Sequence, residues 1–269
     1  MCVIVNLEHM EWMPGEGSFW RRGLSGGFGD RQFPDYTRKT HREYGHRVGI
    51  FRVLDALEAA GIRPTIAMDL MTAQNYPFLV EHCLGRGAEI IAHGISVTQM
   101  ITSEMGESEE REYIARCLEG IERATGTRPR GWLGPEFGES ARTPQLLAEA
   151  GVEYVCDWTN DEQPYEMTTP GGSLVSLPIC LDLDDVNALW ERRMDVERYA
   201  ELVKESLDRL LEDGKTTGRL LALNLRPWLV GQPFRIGYLE EILGHAARQK
   251  GVWAATGSEI VEEYRKATA

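Results

Sequence analysis

A chain of 269 residues with 42% hydrophobic content can bury a substantial core and fits one large domain spanning 1–269. Its 42 acidic and 29 basic residues leave a formal net charge of −13 at pH 7. Such a surface repels nucleic acid and anionic membrane and favours a small or neutral substrate. Five cysteines, Cys2, Cys83, Cys117, Cys156 and Cys180, lack paired ligand spacing, and no apolar run reaches membrane-spanning length. Met1–Val5 lacks a basic stretch and a small-residue cleavage site. The expectation is a soluble cytoplasmic protein with reduced thiols; its oligomeric state, a homo-oligomer included, is left open.

In chain order, short apolar runs of strand length fall at Cys2–Leu7, Pro64–Met68, Glu89–Ala92, Arg130–Leu133, Glu153–Cys156, Ser173–Leu177, Leu220–Leu225 and Val252–Ala255. Helical patterns lie between them. Val48, Phe51, Leu54, Leu57 and Ala60 recur at helical spacing and stop at Gly61. A second helix runs from a plausible N-cap at Asp195 through Tyr199, Leu202, Val203, Leu207, Leu210 and Leu211 to Asp213-Gly214. Alternating β and α elements call for parallel strands with right-handed crossovers, and about eight strands predict closure into a barrel. The loops at the strand C-termini then carry the chemistry. The longest, Glu8–Tyr44, is rich in Gly, aromatics and Arg and reads as a lid or binding loop over a compact ligand.

Glu89-Ile90-Ile91-Ala92-His93-Gly94 ends an apolar strand on a histidine and a turning glycine, so His93 stands at a strand C-terminus where α/β proteins build active sites. Glu8 follows the first strand in the same way. These two titratable side chains are the catalytic candidates. Asn6, Arg226, Trp132, Glu136, Asp157, Trp158, Trp228, Arg21 and Arg22 are the candidates for binding substrate or an oxyanion. Glu139, Asp182, Asp184 and Asp185 add to the strand-end carboxylates, most of which in so acidic a chain are solvated surface. His41, His46, His82 and His245 read as structural.

The His93-Gly94 segment, Tyr44-Gly45-His46-Arg47-Val48-Gly49, Gly61-Ile62-Arg63-Pro64-Thr65, Tyr76-Pro77, Thr125-Gly126, Gly131-Trp132, Asp161-Glu162-Gln163-Pro164-Tyr165 and Arg226-Pro227-Trp228-Leu229-Val230-Gly231-Gln232-Pro233 are spread over nearly the whole chain. In this order they resemble the polysaccharide deacetylase superfamily, of NodB homology or carbohydrate esterase family 4, and most of all its branch with the metal-independent allantoinases. The resemblance implies a deformed (β/α) barrel and hydrolysis of a non-peptide C–N bond. A metal-dependent deacetylase of this family carries two aspartates spaced by one residue after the first strand, where this chain has Asn6-Leu7-Glu8. Its second metal-binding histidine, four residues after the first, corresponds to Val97. Its orienting arginine after the fourth strand corresponds to Leu133, and its general-acid histidine before Pro-Trp to Arg226.

A catalytic zinc usually takes three protein ligands, and Glu8 and His93 supply two; His9 adds a third only if it shares the face of Glu8, which strand alternation disfavours. The expectation is therefore no metal, with zinc the fallback. Glu8 would act as general base, His93 as general acid or base, and Asn6 or backbone N–H groups with Arg226 as oxyanion stabilisers. The leading function is hydrolysis of a small cyclic amide, ureide or imide. The alternatives are a metal-dependent N-deacetylase of a sugar or polysaccharide and a degenerate, non-catalytic ligand-binding protein.

Overall fold

The computed structural model describes residues 1–15 and 33–268. Among the described residues, eight strands form one curled sheet: β1 (Cys2–Leu7), β2 (Thr65–Met68), β3 (Glu89–Ala92), β4 (Gly131–Trp132), β5 (Tyr154–Val155), β6 (Tyr165–Thr169), β7 (Gly172–Ser176) and β8 (Ala222–Leu225). Their order is β6-β7-β5-β4-β3-β2-β1-β8, with β6–β7 antiparallel and every other pair parallel. Helices cross between the parallel strands, giving the deformed (β/α) barrel of the sequence reading. The ring is open at one seam: among the described residues no strand pair joins β8 to β6, although the Leu220 N–H donates to the Glu162 carbonyl at 2.7 Å. A groove of about 910 Å³ lies along this seam between 159–163, 178–183 and 219–221.

Seven expected strands are present, and the eighth is elsewhere. Val252–Ala255 forms no strand; its backbone is tied to the chain start, the Ala255 N–H donating to the Met1 carbonyl at 3.0 Å. The missing strand is β6, where only Met167 is buried between exposed Glu166 and Thr168, too weak a period-two signal to read as apolar alternation.

Alternation along the strands fixes what reaches the barrel mouth. Ile4, Ala67, Ile91, Leu133, Cys156 and Val175 pack into one interior cluster, while Val5, Leu7, Met68, Ala92, Trp132 and Val155 pack outward beneath the helices. Register levels the strand ends, with Leu7 opposite Met68, Met68 opposite Ala92, Ala92 opposite Trp132 and Trp132 opposite Val155. One step past that level, interior-parity positions hold Glu8, Asp69, His93 and Leu133.

The stretch read as a loop over Glu8–Tyr44 is helical at its end. Helix α1 (Tyr36–Tyr44) starts on the Asp35 side chain, which accepts from the Arg38 N–H at 3.1 Å. It passes through a π-helical turn (Gly45–Gly49) into α2 (Ile50–Ala59), which ends before Gly61 at φ +68°. Farther on, α3 (Leu70–Asn75), α4 (Pro77–Gly85), α5 (Glu107–Thr125) and α6 (Thr143–Glu149) serve β2 to β5. The expected helix after Asp195 is α7 (Val196–Asp213); α8 (Pro227–Val230), α9 (Ile236–Arg248) and α10 (Gly257–Thr268) complete the chain. Among the described residues no helix is long and apolar enough to cross a membrane, and all five cysteines are free.

Candidate active site

Glu8, His93 and Arg226 converge at the mouth, all nearly buried. Glu8 Oε2 accepts from Arg42 Nη1 at 2.6 Å, and Glu8 Oε1 lies 3.5 Å from both Arg226 Nε and His93 Nε2. Burial pulls the Glu8 carboxyl up, but its contact with His93 and the charges of Arg42 and Arg226 outweigh burial and hold it well below the usual carboxylate range. This favours the Glu8 anion at neutral pH.

His93 Nδ1 lies 2.5 Å from the Leu133 carbonyl, which can only accept, so this nitrogen carries the proton. Nε2 then presents its lone pair on the Glu8 side, where it has no hydrogen-bond partner among the described residues. Protonation there would create an imidazolium facing a carboxylate. The next residue must be glycine: Gly94 sits at φ +67°, and a Cβ would meet the Tyr113 hydroxyl and lie 2.7 Å from Pro135 Cγ. Gly94→Ala should destabilise the protein by at least about 1–2 kcal/mol from the left-handed backbone alone, read as a lowered urea midpoint. An unchanged midpoint would mean that this turn relaxes freely.

Behind Arg226 lies a second layer of charge. Its Nη1 is paired with Asp184 and lies 3.4 Å from Asp185, and its backbone N–H donates to Asp185 Oδ2 at 2.6 Å. Burial pushes the Asp185 carboxyl up to about 8, Arg226 pulling against it and Asp184 pushing with it. Burial also works against the Arg226 charge, but Asp184, Glu8 and Asp185 more than offset it, so the guanidinium stays protonated.

Asn6 is part of this layer rather than an oxyanion donor. Its Nδ2 donates to Asn224 Oδ1 at 2.6 Å and to the Leu225 carbonyl at 3.1 Å, which occupies both amide hydrogens. Trp132 is also displaced from the proposed role: strand parity turns it outward, fully buried and edge-on to Tyr113. Trp228 is buried on α8, with Arg42 stacked over its ring at 5.3 Å. Trp158 is exposed at 38% and donates through Nε1 to Glu139 at 3.1 Å. Glu136, at φ +53° in a tight turn, lies 3.8 Å from Arg42 Nη2, and Asp157 accepts from the Gly134 N–H at 2.7 Å. Arg21 and Arg22 lie outside the described residues.

Sequence reasoning missed Arg42 and Asp69. Arg42 was hidden because α1 was read as loop; the signal was the capping Asp35 followed by nine residues without Gly or Pro. Asp69 is fully buried, accepts from the His9 and Thr72 N–H groups at 2.5 and 2.6 Å, and is pushed well up by burial. His9 turns away from Glu8 toward Lys39, its Nε2 lying 3.3 Å from Nζ.

The donor set does not fit the metal site of the deacetylases. Glu8 spends its oxygens on two guanidiniums, Val97 offers no donor, and Ser96, Thr98 and Gln99 are gathered on Glu11 Oε2 at 3.0, 2.6 and 2.9 Å. Among the described residues no three His, Cys, Asp or Glu side chains are placed to share an ion.

Glu139 and Asp157 face each other beside this mouth. Burial pushes the Glu139 carboxyl up to about 6, and burial and Glu139 together push Asp157 well above the carboxylate range. A carboxyl raised on folding favours the folded state at low pH and withdraws that contribution as pH rises through its folded value. Stability should therefore fall between about pH 4.5 and 6 on account of Glu139, and Glu139→Gln should flatten this fall in urea titrations across that window. An equally steep fall in the variant would assign it to another group.

Residues 43–155 match the family model described as Polysaccharide deacetylase. A Schizosaccharomyces pombe protein named for the polysaccharide deacetylases is 23% identical over 240 residues, covering 82% of this chain and 74% of its own length. Among solved structures, PuuE allantoinase superposes with a TM-score of 0.88 at 25% identity, over 98% of this chain and 89% of that one. A polysaccharide deacetylase-type protein from Pseudomonas aeruginosa PAO1 gives a TM-score of 0.85 at 24% identity, over 98% and 90%, a likeness of fold. With its matched segment at 43–155 and this barrel around it, the chain is similar to the polysaccharide deacetylases in sequence and in fold.

Proposed function

We propose that this protein is a hydrolase that opens a non-peptide C–N bond in a small cyclic amide, ureide or imide without a bound metal, in a reducing cytoplasm that suits its five free thiols. The observation that carries this reading is the placement of one histidine, one glutamate and two guanidiniums at a single barrel mouth. Glu8 is too weak a base to take a proton from water, so the base is His93 Nε2. The ring takes the proton as hydroxide adds to the substrate carbonyl, and Glu8 stabilises the imidazolium. N–H groups of Arg42 and Arg226 stabilise the oxyanion, with Trp228 holding the Arg42 plane. Collapse of the adduct breaks the C–N bond, and the imidazolium returns its proton to the leaving nitrogen. Likeness to an allantoinase over nearly the whole chain supports a ring-opening reaction.

The test is a side-by-side assay of allantoin, hydantoins, cyclic imides and N-acetylated chitooligosaccharides, each with EDTA and with added zinc. Ring opening that survives EDTA is expected. Acetate release from the oligosaccharides alone, dependent on zinc, would move the assignment to a metal-dependent deacetylase. No turnover of any compound would favour a ligand-binding protein.

A further inference from the structure

The Leu133–Gly134 peptide stands between His93 and the carboxyl pair. Its carbonyl faces His93 Nδ1 at 2.5 Å, and its N–H, on the opposite side of the same planar group, donates to Asp157 Oδ1 at 2.7 Å. His93, the peptide and Asp157 thus form one continuous chain of hydrogen bonds. Hydrogen bonds in such a chain polarise one another, so charge at Asp157 strengthens the acceptor that His93 uses.

We propose that Asp157 is a positioning residue for His93, acting through the Leu133–Gly134 peptide, and that Glu139 tunes it by sharing a proton with it. The local backbone is built for this contact. A Cβ on Gly134 would lie 3.2 Å from Asp157 Oδ2 and 2.8 Å from the Gly138 carbonyl, so only glycine lets the carboxyl approach the peptide without displacement. The turn that follows holds Glu136 and Phe137 at φ +53° and +57°, and the Phe137 N–H closes back on the Gly134 carbonyl at 3.0 Å. On the far side, Asp157 Oδ2 and Glu139 Oε1 are buried oxygens with no other hydrogen-bond partner, and the two carboxyls are in contact. Two carboxylates so placed hold a proton between them, and what charge remains is shared.

Other charges face these groups and must stay constant in a test. Glu8 faces the His93 ring, Arg42 and Arg226 face Glu8, Asp69 lies beyond Glu8, and Cys117 of α5 donates to the Gly94 carbonyl at 3.0 Å. Glu110 of α5 and the Trp158 indole face Glu139. Asp157→Asn keeps an oxygen for Gly134 but removes its share of the pair's charge; Glu139→Gln leaves Asp157 as the sole carboxyl of the pair. The two changes should act with opposite sign.

The inference rests on the hydrolase reading only for its effect on turnover, so the primary measurement needs no substrate. In ¹⁵N-histidine-labelled protein at pH 8, with the ring assigned by loss of its signals in a His93 variant, the His93 Nδ1 proton should move upfield in Asp157→Asn and downfield in Glu139→Gln. Where a ring substrate is turned over, kcat should fall on the order of tenfold to a hundredfold in Asp157→Asn with KM little changed, the range typical of losing an orienting outer partner. Circular dichroism and Tm establish that each variant is folded. If Asp157→Asn does not fold, Glu139→Gln alone decides by the direction of its shift. An unmoved His93 Nδ1 signal in a folded variant would overturn the relay, whatever the substrate assays show.

Discussion

Replacing His93 with Gln should lower kcat by on the order of 10²–10⁴ on any ring substrate that the wild-type protein opens, with little change in stability. The amide of Gln can still donate toward the Leu133 carbonyl, now 2.5 Å from Nδ1, so the local fold is largely kept. What it cannot do is accept a proton from water and return it to nitrogen. Steady-state kinetics with a parallel unfolding curve read the two effects apart. Wild-type turnover in a folded His93→Gln protein would remove His93 from the chemistry.

Arg226→Met should be the most damaging single change to stability. Its guanidinium is shared by Glu8, Asp184 and Asp185, all buried, and removing one partner of a buried ion cluster costs on the order of 3–5 kcal/mol. For a chain of this length that is a fall in Tm of roughly 10 °C. The loss should be insensitive to salt, since the cluster is screened little by solvent ions. It should also be greater at neutral pH than in acid. The Glu8 carboxyl is lowered on folding, so its contribution is present above the unfolded carboxyl range and is lost as pH falls. A variant as stable as wild type at pH 7 would show that the carboxylates find other partners.

Much of the fold was legible because its signals are local. Seven of the strands declared themselves as short apolar runs, and Glu8, His93 and Arg226 could be placed at one mouth by their positions at strand ends. Signals that depend on partners were not legible. Trp132 looked like an aromatic at a strand end, yet parity at a two-residue strand turns it outward into the layer beneath the helices. Asn6 looked like a donor, but its amide hydrogens are consumed by Asn224 and Leu225, more than two hundred residues away. The low proton affinity of Glu8 depends on Arg42, which reaches it from a helix that read as loop. The proposed base is therefore His93 rather than Glu8, on electrostatics that no spacing encodes.

The antiparallel strand β6 bears on how one edge of the sheet is covered. β7 carries Leu174 and Val175 at the end of an otherwise parallel sheet, and without a neighbour its backbone would offer a ready template to a strand from another molecule. β6 occupies that side along all five of its residues, from Tyr165 opposite Ser176 to Thr169 opposite Gly172. Its outer positions include Glu166 and Thr168, and Pro164 and Pro170 bracket it. A short, polar, proline-flanked strand is poor material for further pairing, so this hairpin acts as a stopper. Chains that lose it would be expected to lose solubility before they lose the barrel mouth on the opposite half of the sheet.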